Sequence, residues 1–189
     1  MGSLHLERLE ALIHSGITAS EPELKIVLDH LYADLIHRRS RSSLDSADYF
    51  GRTLHALEKI KGIGNSQIRL ACFHQCCGFL LHHGNLVTAL EAAEQYHSLA
   101  VRAQAIDGVT KSLNLRGMVN GELGNLNEAI VQYAEALCIA RREGDLESAG
   151  IVINNLGCAL NYAGLYLEAI PCFTRVIAVA QPGWTFRAD

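Results

Sequence analysis

The chain has 189 residues, 49% of them hydrophobic, 19% charged and 6% aromatic, with a net charge of -4. That apolar fraction excludes a largely disordered chain, and the acidic balance argues against a general nucleic-acid binder. No run approaches the roughly 18 apolar residues of a membrane span, and Met1–Glu10 lacks the basic-then-apolar order of a signal peptide.

In chain order, Leu4 to Ser15, ending at Gly16, reads as an amphipathic capping helix. Ser20-Glu21-Pro22-Glu23 has the spacing of a capping box, and Leu24, Val27, Leu28, Leu31 and Leu35 follow at helical spacing up to Arg38. Arg38-Arg39-Ser40-Arg41-Ser42-Ser43 is a basic, serine-rich connector, read as a solvated loop. Tyr49-Phe50, Ala56-Leu57 and Ile60 mark a further helix.

From residue 65 onward the sequence repeats itself. A shift of forty positions carries Asn114 to Asn154, Gly117 to Gly157, Gly124 to Gly164, Glu128-Ala129-Ile130 to Glu168-Ala169-Ile170 and Tyr133 to Phe173. The reverse shift brings Gly84-Asn85-Leu86 under Gly124-Asn125-Leu126, and Ala89-Leu90 under Ala129-Ile130. Each copy reads as a helix, a turn and a second helix. Glycine at 84, 124 and 164 ends the first helix in a left-handed conformation, and Ala89, Ala129 and Ala169 allow close packing. Tyr133 and Phe173 are expected in the groove between neighbouring pairs. A lone pair cannot bury both faces, so neighbours must stack.

Leu156-Gly157, Leu160, Gly164, Tyr166, Ala169 and Phe173 make the last copy resemble a tetratricopeptide repeat, and the copy from Asn114 resembles it too. The period is similar to that of the extended repeats in kinesin light chains and bacterial peptide-sensing regulators. Arg116, Asn120 and Cys77 depart from the family pattern. The resemblance implies an all-α fold, a right-handed α-α superhelix of antiparallel helix pairs. The expected order is a capping helix over 1–19, a degenerate pair over 20–64, repeats over 65–104, 105–144 and 145–181, and the start of a further repeat over 182–189.

The resemblance also implies that first-helix residues face a partner. These are His74, Asn114 and Asn154, then Met118 and Cys158, then Asn161, then His82, Glu122 and Tyr162, with Lys111 on the same surface. An Asn amide offers donors and acceptors to a peptide backbone; alternatively, these amides bond neighbouring helices. With only Lys111 and Arg116 there, and Arg69 near the preceding helix start, a carboxylate clamp is not matched.

Gly62-Ile63-Gly64 resembles the turn of a DNA-binding helix-hairpin-helix, with Lys59, Lys61 and Arg69 as added charge; its register favours a plain inter-repeat turn. Cys72, His74 and Cys76 do not share one helical face, so no metal site is expected. The six cysteines read as reduced, buried thiols. No catalytic motif and no cofactor site is legible.

The expected function is a non-catalytic, cytoplasmic scaffold for proteins or peptides, the amino-terminal regulatory module of a larger signalling protein. Membrane contact is not expected and nucleic acid is disfavoured. A peptide-regulated phosphatase-like regulator of response regulators is an alternative. An uncovered last repeat would also favour end-to-end self-association.

Overall fold

The structure is a computed structural model describing residues 4–14, 21–39, 44–61 and 64–180. Gly16, Ser20, the connector residues 40–43, Gly62, Ile63 and residues 181–189 lie outside it, and so do the expectations that fall on them. The described residues form nine α-helices and no strand: α1 Leu4–His14, α2 Glu21–Arg39, α3 Leu44–Lys59, α4 Ser66–His82, α5 Leu86–Arg102, α6 Ile106–Glu122, α7 Leu126–Glu143, α8 Leu146–Tyr162 and α9 Tyr166–Ala180. The fold is all-α, with successive helices packed as in tetratricopeptide-like pairs. The chain divides into two compact units, Met1–Gly108 and Val109–Asp189, with the division inside α6.

In the first unit, α2 packs against α1, α3 and α4. Its buried face is Val27, Leu28, Leu31 and Leu35, the stripe legible in sequence. Glu21 and Glu23 lie in its first turn and His37, Arg38 and Arg39 in its last, each sign complementing the helix dipole. From α3, Phe50 stacks on Phe79 of α4 at 3.9 Å between ring centroids. Both rings are fully buried and anchor this core.

The second unit packs α7 on α8 and α8 on α9. Its core joins Leu113 of α6, Ala129, Tyr133, Ala136, Leu137 and Ala140 of α7, and Ala149, Val152, Ile153 and Ala159 of α8. A Cβ on Gly117 would lie 2.6 Å from the Tyr133 ring, so glycine is what lets α6 and α7 close over that ring. The same holds one repeat later, where a Cβ on Gly157 would lie 2.9 Å from Phe173. Pro171 stands inside α9. It has no N–H for the carbonyl of Leu167, whose side chain is exposed, and water can serve there instead.

The turns follow one rule every twenty residues. At 84, 124, 144 and 164 a glycine has φ between 71° and 83°, and at 104 a glutamine has φ 54°. The following N–H reaches back five residues, as in Asn85 to Leu80, Ala105 to Ala100, Asn125 to Asn120, Asp145 to Ala140 and Leu165 to Leu160, at 2.8–2.9 Å. This is the paired hydrogen bonding of a Schellman cap. Both the turn within a pair and the turn between pairs use it.

Candidate partner-binding face

In the second unit, helical geometry sorts the expected residues into two stripes. On α6, Lys111, Asn114, Met118 and Glu122 recur at steps of three or four residues, and on α8 so do Asn154, Cys158 and Asn161, with Tyr162 four residues after Cys158. Lys111 and Glu122 are exposed, whereas Asn114 and Met118 are half-buried. Asn154, Cys158 and Asn161 are exposed, and Tyr162 is 78% exposed. The opposite side of α8 carries Ala149, Val152, Ile153 and Leu160, all buried. An apolar core face thus forces the polar stripe outward.

The two helices are joined on this side by a side-chain bond: Asn155 Nδ2 donates to Asn114 Oδ1 at 2.9 Å. Asn114 Nδ2 in turn points at Met118 Sδ, 3.7 Å away, a weak acceptor. For Asn114 the bonding between neighbouring helices is therefore observed, and the residue that provides it is Asn155 rather than the expected Asn154. Sequence periodicity gave Asn154 as the repeat equivalent of Asn114. It could not show that the neighbouring amide makes the bridge. Asn154 itself points outward.

Lys111 also lies close enough to Asp145 to attract it. Asp145 Oδ1 accepts the Ser148 N–H at 3.0 Å and caps α8. Hydrogen bonds from the Ser148 side chain and backbone hold the Asp145 carboxyl below its usual range, and Lys111 adds to this. Beneath the stripe, Asn120 is buried and donates to Gln132 Oε1 and to the Arg116 carbonyl, both at 3.1 Å, while accepting from Asn125. The departure from the family pattern at Asn120 is thereby accommodated as a closed amide network across the α6–α7 turn. Asn125, which completes it, stood in the repeat register with Asn85, whereas Gln132 carried no signal there.

In the first unit, His74 and His82 lie on α4. His74 is half-buried with its ring edge-on to Tyr96, 6.1 Å between centroids, and His82 is exposed. Arg69 is a correction. Expected as added charge for phosphate, it is 2% exposed, and its Nη2 donates to the Ile60 carbonyl at 2.9 Å at the end of α3. The turn at Gly64-Asn65 is tied back to α2, where Asn65 Nδ2 donates to the Glu21 carbonyl at 3.0 Å.

The thiols need correction as well. Cys72, Cys76 and Cys77 are buried, and burial pushes Cys72 and Cys77 up to about 12 and Cys76 well above its ordinary value. Cys138 and Cys158, however, are exposed. Their positions fit an apolar helical pattern, but cysteine tolerates either side of a helix. Among the described residues no group of three potential ligands is arranged to hold a metal ion. No described helix is long and apolar enough to cross a membrane.

A comparison with curated proteins finds no match. Residues 108–181 match the family model described as tetratricopeptide repeat. That segment covers the helices bearing both stripes, the Gly117–Tyr133 and Gly157–Phe173 contacts and the turns at Gly124, Gly144 and Gly164. Family and geometry agree on the same helix pairs, and residues 108–181 are similar to tetratricopeptide repeats, which support a protein-binding scaffold.

Proposed function

We propose that the chain binds an extended peptide or protein segment through the outward stripes of α6 and α8, without chemistry of its own. The observation that carries this is the bridged pair of stripes. Asn155 fixes Asn114, and beside it Asn154, Asn161 and Tyr162 present amides and an aromatic ring to solvent. A fixed amide loses little entropy when it meets a peptide backbone, and an exposed tyrosine supplies contact area with few rotors. His74 and His82 on α4 hold the equivalent repeat positions within the first unit, by family analogy.

The setting that goes with this reading is a regulatory module of a cytoplasmic signalling protein, joined to an output domain in the full reading frame. The helix-hairpin-helix alternative loses Arg69, whose guanidinium is committed to a buried carbonyl.

Panning a displayed peptide library against the chain tests the reading. Enriched peptides should lose about tenfold or more in affinity with Asn154→Ala/Tyr162→Ala, two exposed changes that leave the melting temperature unaltered. Undiminished binding by that variant would sink the α6–α8 face.

A further inference from the structure

The first unit contains a small basic cleft between the ends of α2 and α4, lined by Arg39, Phe79, His82 and His83. Its volume of about 160 Å³ suits one functional group rather than a whole small molecule. Each wall is held in place. Arg39 Nη1 donates to Gln75 Oε1 at 3.0 Å, and the guanidinium lies across Gly78, where a Cβ would stand 3.4 Å from Nη2. The His83 ring stacks on Phe79 at 3.9 Å, and its Nδ1 lies 2.8 Å from the Phe79 carbonyl. With Phe50 behind Phe79, three rings form a continuous stack. His82 meets His83 edge-on at 5.2 Å.

Among the described residues no carboxylate lines this cleft, although acidic residues outnumber basic ones in the chain, 20 to 16. Arg39 is oriented by a neutral amide, that of Gln75. Nearby, Arg38 lies over the Tyr49 ring, 4.1 Å from its centroid, and Tyr49 donates to Asp34 Oδ2 at 3.4 Å, so those groups have other contacts. A planar guanidinium fork and the exposed His82 imidazole, with the stacked His83 ring as a fixed wall, suit an oxyanion that accepts from several directions.

We propose that this cleft binds a single phosphate group, either free or carried on a phosphorylated side chain. The site stands on α2 and α4 and does not depend on the α6–α8 face.

The test follows the imidazole resonances of His82 and His83 at fixed pH during titration with inorganic phosphate, and separately with a phosphoserine peptide and its unphosphorylated form. A saturable shift is expected with inorganic phosphate. The phosphopeptide binding more tightly than phosphate assigns the source as a modified partner, and equal binding assigns free phosphate. Arg39→Gln should weaken binding about tenfold, since a hydrogen bond to a charged group is lost. His82→Gln should weaken it less, and Arg142→Gln, on α7, should leave it unchanged. Circular dichroism checks that each variant is folded. No saturation by about 10 mM phosphate, equal binding of the unphosphorylated peptide or of acetate, or an equal loss with Arg142→Gln overturns the proposal.

Discussion

The pair α4/α5 and the pair α6/α7 solve one packing problem with opposite choices. In α6/α7 a glycine, Gly117, faces a large ring, Tyr133. Forty residues earlier the same positions hold Cys77 and Ala93, both fully buried. Bulk has moved from the second helix to the first. The aromatic of α5 stands one turn later, at Tyr96, where α7 has Ala136, and both are buried. Interiors pack at crystal-like density, so what is preserved is the filled volume and not the residue. A repeat judged one position at a time looks degraded at Cys77. As a pair it is intact.

The largest contrast between the regions should be chemical. Cys72, Cys76 and Cys77 are buried with raised thiol pKa values, whereas Cys138 and Cys158 are exposed. Under native conditions a thiol reagent should modify Cys138 and Cys158 first. The α4 thiols should react slower by about three orders of magnitude, at a rate set by opening of the first unit. Mass spectrometry of timed, digested samples reads this. Comparable rates would mean that α4 is not closed over its cysteines.

Next in size is the ring itself. Tyr133→Ala should destabilise the second unit by about 3–5 kcal/mol in urea melts, and Gly117→Cys by about 1–3 kcal/mol through overpacking. Transplanting the other pair, Gly117→Cys/Tyr133→Ala, should cost at least about 1 kcal/mol less than the sum of the single changes. Simple additivity would break the volume-exchange argument.

A smaller effect concerns how the two regions secure their helix ends. Arg69→Met removes the donor to the Ile60 carbonyl and should cost the first unit about 1–3 kcal/mol, while Asp145→Ala should cost the second about 1 kcal/mol. The Asp145 contribution carries a pH signature. Its carboxyl is held below the ordinary value of 3.8, so this stabilisation is complete above that value and fades as pH falls through the depressed one. Wild type and Asp145→Ala should therefore converge in stability at acid pH. A constant gap would remove the charged cap as the cause.

The smallest effect compares turns of identical form. Gln104 adopts a φ of 54° where Gly144 has 71°. Gln104→Gly should be stabilising by up to about 1 kcal/mol, and Gly144→Ala destabilising by about as much, in thermal melts. A destabilised Gln104→Gly would mean that the glutamine side chain offsets its own backbone strain.

Much of the fold was legible because packing imposes period on sequence. The forty-residue register located the glycine turns at 84, 124 and 164, and the α2 stripe of Val27, Leu28, Leu31 and Leu35 lies inward as its spacing requires. Less legible were features that depend on one atom's surroundings. Nothing local told Arg69 from a surface cation, because the carbonyl it reaches lies nine residues earlier, just past the end of another helix. Asn155 was missed beside Asn154 because both are asparagines and only orientation separates them. Cys138 was assigned to the interior by chemical type, which for cysteine is a poor guide to facing. Cys158, read as buried by type, was also placed on the outward stripe by register, and it is exposed.

The Asn155–Asn114 bond also settles a polarity. With Asn114 Oδ1 accepting from α8, the flip state of that amide is set, and its nitrogen is directed along α6 toward a weak sulfur acceptor. The face therefore has more to give than to take at this point. A chain laid along it would be read by its carbonyl groups here, and its direction of travel would follow from where those carbonyls fall.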